Sequence, residues 1–313
     1  MPDQQKPAYG GQAVIEGVMF GGKNTTVTAI RRKDESIEFF EVPRKKNPAV
    51  AKLKKIPFLR GIGAILDATA IGTKHLNFSS DRYDVDPKDD DQIDTSPPKL
   101  ALILGVAVAG VLSFLFAQFV FVGVPAWAAH LLSPIFPGHL MQNVIEDVFK
   151  IVLLLGYIYF ISMTPLMKRV FQYHGAEHKV INTFENGDAL TVDNVKKHSR
   201  LHYRCGSSFI LFTAIVGIIL YYFLPTDPLW QRLFYRIILI PVVLGISFET
   251  LQLTSKLRDV PVLRYLGYPG LWLQLLTTKE PDRDQVEVAI RSFNEMLHRE
   301  ENFQSAESDT KIG

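Results

Sequence analysis

The sequence predicts an α-helical integral membrane protein with four transmembrane helices, a small N-terminal β-meander and a C-terminal amphipathic helix. Three observations support this fold class: four long apolar segments in the middle of the chain, alternating apolar residues before them, and a helical apolar period after them. The 313 residues carry a net charge of only +2, which argues against nucleic acid as the main partner.

The N-terminal arm, residues 9–55, is predicted to be cytosolic and rich in β-strands. A three-stranded meander over residues 10–43 is indicated by three apolar or alternating segments, GQAVIEGVMF, NTTVTAIRR and SIEFFEV. Residues 56–78 are apolar but too interrupted to span a bilayer, so they predict an interfacial or re-entrant helix. The acidic, proline-containing residues 79–99 indicate a linker.

Four apolar segments within residues 100–254 are long enough to cross a bilayer, which requires roughly 20 helical residues. The first contains no charge, and its alternative interpretation is a buried helix of a soluble protein. The second and fourth contain prolines, which membrane helices tolerate because neighbouring groups satisfy the freed carbonyls. The predicted spans cover residues 100–124, about 148–167, about 207–224 and about 233–253.

The distribution of lysine and arginine predicts the orientation of these spans. The loop between the first two spans has no basic residue from Ser133 to Asp147, whereas residues 168–206, the histidine loop, have many. The histidine loop and both termini are therefore predicted to be cytoplasmic. Only Arg232 and Arg236, between the third and fourth spans, oppose this orientation.

The C-terminal arm, residues 255–299, is predicted to be cytosolic and to contain an interfacial tryptophan, Trp272. An amphipathic helix is expected from about Asp282, since apolar residues recur there at helical spacing. Its apolar face would contain Val286, Val288, Ile290, Phe293 and Leu297. The polar tail, residues 300–313, is expected to be disordered.

The motif YHGAEHKVINTFENG, residues 173–187, is the main candidate for a functional site. A helix over residues 171–186, ended by Gly187 in the left-handed conformation, would place His174 and His178 on one face. Two imidazoles in this geometry can bind zinc or a similar divalent metal, and Glu177 beside them can act as a general base. The order H-x-x-E-H also marks the inverzincin metallopeptidases. The alternative is a solvated helix whose polar face points outward.

A second group of possible metal ligands follows in KKHSRLHYRCG, residues 196–206. If this segment is helical, His198, His202 and Cys205 share a face at positions i, i+4 and i+7. Thiolate and imidazole are ligands that zinc and related metals prefer. The alternative for Cys205, the one cysteine of the chain, is a small buried residue.

Glu249, within the fourth predicted span, is a further candidate metal ligand. Inverzincins take their third ligand from a distant glutamate, and a carboxylate at membrane depth is costly unless it is paired, hydrated or bound to a cation. The alternative is a residue at the helix end that reaches water at the cytoplasmic boundary.

These motifs resemble the YqhQ-like family of uncharacterised bacterial membrane proteins, which are labelled predicted metal-dependent enzymes. The resemblance extends from Tyr9 to about Leu297. It implies a multi-pass protein of the bacterial inner membrane, and the family's histidine pattern corresponds here to His174, Glu177, His178, His202 and Cys205. The blocks that carry it are GGQAVIEGVM, YHGAEHKVINTFENG, HYRCGSSF, GISFE and PGLWLQLLTTKEP.

Two functions from different classes are compatible with these residues. The first is a membrane-embedded, metal-dependent hydrolase with its site at the cytoplasmic membrane interface. The second is a non-enzymatic membrane scaffold or assembly factor, with a structural metal or a histidine cluster and a partner in membrane-protein biogenesis. A site of three histidines and a cysteine would favour the second, because closed tetrahedral sites are structural.

Overall fold

The computed structural model describes residues 9–44, 48–92, 100–224 and 228–312. The protein is mostly helical, with a four-stranded antiparallel sheet near the N-terminus. The chain divides into two compact units. Unit 1 consists of Met1–Ile93, Ser162–Thr213 and Leu244–Gly313, and unit 2 consists of Asp94–Ile161 and Ala214–Val243.

The sheet has four strands where the sequence predicted three. They are β1 (Gly10–Val14), β2 (Gly17–Gly21), β3 (Thr25–Arg31) and β4 (Ile37–Pro43), paired in sequence order. The first predicted strand folds back on itself because Val14 pairs with Gly17, leaving a two-residue turn with Glu16 at φ 53°. Such tight hairpin turns need positive φ values, which Glu16 supplies without the glycine or asparagine that would have revealed the turn.

Twelve α-helices lie in the described part of the chain, with a π-helical turn, Phe119–Gly123, joining the third and fourth. Two short 3-10 helices cover Pro87–Gln92 and Leu263–Gly267. The α-helices are α1 (Pro48–Leu53), α2 (Leu59–Arg82), α3 (Leu100–Gln118), α4 (Val124–Leu131), α5 (His139–Ile161), α6 (Pro165–Asn186), α7 (Val192–Lys197), α8 (Gly206–Tyr221), α9 (Leu229–Ile238), α10 (Ile240–Lys256), α11 (Tyr268–Thr277) and α12 (Arg283–Ile312).

In unit 1 the sheet packs between helices on both of its faces. One face contacts α6 and α12 through a fully buried apolar core, and the opposite face contacts α2 through a smaller cluster that contains Phe78. The predicted apolar face of the C-terminal helix is confirmed, since Val286, Val288, Ile290 and Phe293 are buried there. Burying each such side chain contributes about 1.5–3 kcal/mol, so α12 is a main stabilising element of the sheet.

Two regions are more ordered than the sequence predicted. The tail expected to be disordered from Glu300 continues α12 to Ile312. The Glu300 carboxylate accepts hydrogen bonds from the backbone nitrogens of Asn24 (2.7 Å) and Thr25 (2.8 Å), which holds the helix against the β2–β3 turn.

The predicted acidic linker also contains structure. Its first residues belong to α2, and the following 3-10 helix brings Asp90 to within 3.1 Å of Arg32, whose guanidinium is buried. Residues 93–99 of the predicted linker lie outside the described part of the chain.

Unit 2 consists of apolar helices and encloses a small group of charges. Glu146 is fully buried and forms an ion pair with Arg236, while Lys150 lies 3.3 Å from Asp147 and 3.8 Å from Glu146. Tyr221 lies against both cations. Mutual neutralisation and these aromatic contacts compensate for the burial of the charges.

One helix among the described residues, Val108–Leu131, is long and apolar enough to cross a membrane. The other predicted spans correspond to helices that are shorter or interrupted. α5 ends at Ile161, ahead of Pro165 at the start of α6, and the fourth predicted span is divided into α9 and α10 next to Pro241. α8 is apolar but only 16 residues long.

Candidate metal centre

Helix α6 forms as the motif predicted and provides the base of the site. Pro165 occupies its first turn, where the missing N–H costs nothing, and Gly187 ends it with φ 83°. Gly175 faces the segment after α11: a Cβ there would lie 2.1 Å from the carbonyl oxygen of Lys279. The glycine therefore allows this segment to lie directly against α6.

The segment from His198 to Cys205 is not helical, contrary to the spacing argument. Polar side chains of α6 bind its backbone carbonyls instead. Lys179 Nζ donates to the oxygens of Lys196 (3.0 Å) and His198 (2.8 Å), and Asn182 Nδ2 donates to those of Ser199 (2.7 Å) and Leu201 (3.1 Å).

The same contacts fix the outer part of this segment. Lys179 also forms an ion pair with Glu280 at 3.1 Å. His198 turns away from the other histidines, with Nε2 located 2.8 Å from an oxygen of Asp188. The polar face of α6 thus holds the loop in place of solvent, and His198 is not part of the site.

His174 and His178 each have one ring nitrogen fixed by the backbone. Nδ1 of His174 lies 2.8 Å from the carbonyl oxygen of Thr277, and Nδ1 of His178 lies 2.6 Å from that of Arg200. A carbonyl only accepts hydrogen bonds, so both Nδ1 atoms carry the proton and both Nε2 atoms keep a lone pair. This is the arrangement that orients histidines for metal binding.

The two histidines and Cys205 come together at one point. Their metal-binding atoms lie within 4.8 Å of one another, and His174 Nε2 is 3.2 Å from Cys205 Sγ. Cys205 directly precedes α8, and its sulfur also contacts Ser207 Oγ at 3.0 Å. The cysteine is 6% exposed, and burial lowers the pKa of His178. The structure therefore collects three of the five predicted ligands.

His202 lies next to this group without joining it. Its ring centroid is 5.7 Å from that of His178, and its Nε2 is 3.7 Å from a carboxylate oxygen of Glu185. Although burial opposes the effect, His202 and Arg204 lower the pKa of Glu185 to about 2. Gln274 of α11 holds the His202 backbone by accepting from its N–H and donating to its carbonyl, both at 2.8 Å.

Glu177 is 5% exposed and lies on the side of α6 that contacts β1. Burial raises the pKa of its carboxyl to about 7, opposed by His174 and by the backbone of Gly11. A Cβ at Gly11 would lie 3.0 Å from the Glu177 side chain and 2.5 Å from the carbonyl oxygen of Met19. The glycine in GGQAVIEGVM thus allows β1 to cover this carboxyl.

Glu249 is not brought to the cluster. Its carboxylate forms an ion pair with Arg60, whose Nε lies 2.6 Å away, and accepts from the backbone nitrogen of Phe58 at 3.1 Å. The negative charge of Glu249 had suggested a bound cation, but Arg60 compensates this charge. The third nearby ligand is a thiol in place of the distant carboxylate that the inverzincin pattern led us to expect.

Several residues that position the site were not predicted from the sequence. The carbonyls of Thr277 and Arg200 and the side chains of Lys179 and Gln274 orient the histidines and the loop. Every residue has a backbone carbonyl, so the sequence does not show which carbonyls accept these hydrogen bonds. A signal did exist for Lys179, because a lysine on the inner side of a helix next to two histidines needs an acceptor when buried.

Residues 56–299 match the family described as "Protein of unknown function (DUF1385)". The chain belongs to this family. A Bacillus subtilis (strain 168) relative, "Uncharacterized protein YqhQ", is 65% identical over 297 residues, which cover 94% of this chain and 93% of the relative. The resemblance to the YqhQ-like family is thereby confirmed. No solved structure matches the chain.

The region that matches DUF1385 includes the histidine site but none of the four strands that support it. The matching residues include α6, Cys205 and α11, whereas β1 to β4 precede them. The ligand group suits a borderline metal: two imidazoles and one thiolate form a set of three, as in catalytic zinc sites that keep one position for substrate or water.

Proposed function

We propose that the chain is a membrane-embedded, metal-dependent hydrolase that holds zinc or a similar divalent ion between His174, His178 and Cys205. The observation that carries the proposal is the convergence of two Nε2 lone pairs and a thiol, with both Nδ1 atoms already bound to carbonyls. His202 lies outside this set, and three protein ligands with one open position are the arrangement of catalytic zinc sites.

The chain's own residues would divide the chemistry among them. When bound, the ion would supply Lewis-acid activation of an electrophilic substrate group. Glu177, one residue before a ligand and shielded from water by β1, would take up and return a proton as general base. The fixed Nδ1 contacts would keep both imidazoles oriented throughout the reaction.

Location at the bilayer is the second part of the proposal. We infer four membrane crossings, formed by α3 with α4, by α5, by α8, and by α9 with α10, with both termini and the histidine site on the cytoplasmic side of the inner membrane. Large apolar side chains along unit 2 point outward, among them Leu112, Phe116, Val152 and Phe160. A peptide or lipid-linked substrate close to the membrane would suit this location.

A non-enzymatic scaffold or membrane-protein assembly factor is the second candidate, and the burial of Cys205 favours it. The three ligands come from α6 and from the residue before α8, while α11 supplies the Thr277 carbonyl. A structural ion would clamp these segments together and present a cytosolic surface to a partner from the biogenesis machinery.

Substitution of Glu177 by glutamine separates the two functions. Glu177→Gln keeps the shape of the side chain but cannot accept a proton, so the hydrolase predicts normal metal content with activity reduced on the order of a hundredfold or more. His178→Ala should lose both the metal and the activity. The measurements are metal content of detergent-purified protein and complementation of a deletion strain, with protein levels followed in parallel.

The opposite ranking would support the scaffold. In that case His178→Ala and Cys205→Ala would lower the thermal midpoint and complementation together, while Glu177→Gln would complement fully. Wild-type protein that is purified without metal, and whose stability is unchanged by a chelator, would exclude both forms of the metal centre.

The proposed topology has its own test. A cysteine introduced at Gln142 should react with a membrane-impermeant thiol reagent added outside intact cells. One at Asn194, which is half-buried on α7, should react only after the cells are opened. The reversed labelling pattern would move the histidine site to the other side of the membrane.

A further inference from the structure

Two short turns of unit 1 share a sequence pattern that the proposed function does not use. The first is Ile56-Pro57-Phe58-Leu59-Arg60, ahead of α2, and the second is Val260-Pro261-Val262-Leu263-Arg264, after α10. In both, a branched apolar residue, proline, a second apolar residue, leucine and arginine follow in this order. Each turn leads directly into a helix, α2 in one case and the 3-10 helix at 263–267 in the other.

The two turns also share an unusual backbone conformation. Phe58 has φ 65° and ψ −36°, and Val262 has φ 69° and ψ −51°. The same hydrogen bond closes each turn, from the arginine nitrogen to the carbonyl of the first residue: 2.9 Å between Arg60 and Ile56, and 3.1 Å between Arg264 and Val260. Positive φ is disfavoured for bulky residues and worst for β-branched ones, so a function is the natural reason for keeping it.

The residue at the apex of each turn is apolar and exposed. Phe58 is 56% exposed and Val262 is 73% exposed, although burial is what normally stabilises such side chains. More large apolar residues are exposed beside them, two of them with the amphipathic rings that collect at membrane interfaces. These neighbours are Ile56, Leu59, Leu263, Tyr265, Leu266 and Trp272.

Basic residues flank both apices. No acidic residue occurs from Arg44 to Arg60, whereas residues 256–264 contain three basic residues and one acid, Asp259. Arg60 and Arg258 are ion-paired with Glu249 and Glu185, and Lys54 with Asp67, whereas Lys52, Lys55, Lys256 and Arg264 form no ion pair among the described residues. Apolar tips beside these four cations match an anionic leaflet, with acyl chains below and phosphates at the level of the cations. A soluble protein partner would not require the same apolar tip at two separate points.

We propose that the Phe58 and Val262 turns are a pair of membrane anchors, which insert into the anionic cytoplasmic leaflet beside the spanning helices. The Phe58 turn is attached to α10 through the hydrogen bond to Glu249, and the Val262 turn follows α10 directly. Both anchors thus belong to the cytoplasmic end of one helix. They would hold unit 1 against the bilayer whether or not a metal is bound, so this inference rests on the proposed membrane location and not on the hydrolase chemistry.

Depth-dependent fluorescence quenching tests the anchors. The protein is reconstituted in nanodiscs of phosphatidylcholine and phosphatidylglycerol, with an environment-sensitive dye attached at Phe58→Cys or Val262→Cys. Wild-type protein gives the background, because its single cysteine is buried. We expect blue-shifted emission at both positions and strong quenching by lipids brominated along the acyl chain. Replacing phosphatidylglycerol by phosphatidylcholine should reduce the quenching.

Phe39→Cys is the matched control, since Phe39 is an exposed phenylalanine of the same unit, 41% exposed on β4, with no basic flank of this kind. It should give no shift and no quenching. Lys55→Cys leaves both apolar tips intact and should report headgroup depth, so the test does not depend on one variant folding. Labels at 58 and 262 that behave like the label at 39 would overturn the proposal. It would also be overturned if brominated lipids did not quench the two dyes and their blue shift instead increased with protein concentration in detergent, because the turns would then contact another protein molecule.

Discussion

Two histidine environments in unit 1 differ in what their ring nitrogens contact. His75 on α2 lies between two hydroxyls of β3, with Nδ1 2.7 Å from Thr28 Oγ1 and Nε2 2.8 Å from Thr26 Oγ1. His174 and His178 on α6 bind carbonyls through Nδ1 only. Their Nε2 atoms lie close to each other and to Cys205 instead.

This difference distinguishes a histidine with a structural role from a candidate metal ligand. A neutral imidazole has one donor and one acceptor, and a hydroxyl can serve either, so His75 is fully satisfied by the sheet. Carbonyls satisfy only the donor of His174 and His178, and their acceptors face each other and the Cys205 thiol, where a metal ion could bind. Burial alone would not have separated the two environments, because His75 and His178 are both almost completely buried.

Stabilisation by metal is the strongest test of this difference. Free zinc at a thousandfold excess over its Kd should stabilise the wild type by about 4 kcal/mol, because only the folded chain has the preformed site. His75→Gln should be less stable than the wild type without zinc but should gain the same stabilisation from zinc, whereas His178→Ala should not gain it. Thermal unfolding with and without zinc measures both; an equal gain in all three proteins would show that His178 is not a ligand.

Removal of His75 should cost somewhat less. His75→Ala leaves a cavity and deprives the hydroxyls of Thr26 and Thr28 of their partner, a loss of about 3 kcal/mol. Metal content per folded chain should not change. The exposed His298→Ala serves as the control and should leave the denaturation midpoint unaltered, and a His75→Ala protein as stable as that control would refute the structural role.

The smallest expected effect is a pH dependence of stability, about 1.4 kcal/mol for each pH unit. Burial, with a smaller contribution from Lys74, lowers the pKa of His75 from 6.5 to about 4. The unfolded chain therefore binds a proton as the pH falls below 6.5, and the folded chain does not do so until about 4. As the pH falls across this window, the free energy of unfolding should decrease, with a slope that corresponds to at most one bound proton.

The control for the pH effect is His75→Gln, since other groups titrate in the same range. The difference between the two stability profiles isolates the histidine. Parallel profiles between pH 6.5 and 4 would mean that His75 is protonated in the folded state, and that the two hydroxyls do not hold it neutral.

The sequence predicted the parts of the site that depend on local periodicity. Helix α6, its end at Gly187 and the shared face of His174 and His178 follow from a spacing of four residues and a glycine. The apolar face of α12 was predictable for the same reason. These features depend on neighbours within one helix.

The parts that were missed depend on contacts between distant segments. A helix before Cys205 would have placed His198, His202 and Cys205 on one face, but Lys179 and Asn182 bind the carbonyls of this segment and hold it in an irregular conformation. Glu249 was expected near the histidines, but its carboxylate is bound by Arg60 instead. The spacing of residues along the sequence does not show which of two possible partners a side chain contacts. The contacts of these residues could therefore be found only in the structure.

The packing of α12 on the sheet has a consequence for biosynthesis. Ser292 donates a hydrogen bond to the Val18 carbonyl, a contact between residues 274 positions apart. At about 5–20 residues per second, the ribosome needs roughly 14–55 s between these two points. During that time the face of β2 and β3 that α12 will cover stays exposed, and chaperones or the membrane surface must shield it. Completion of unit 1 is therefore an event that follows translation of α12, after the apolar helices of unit 2 have left the ribosome.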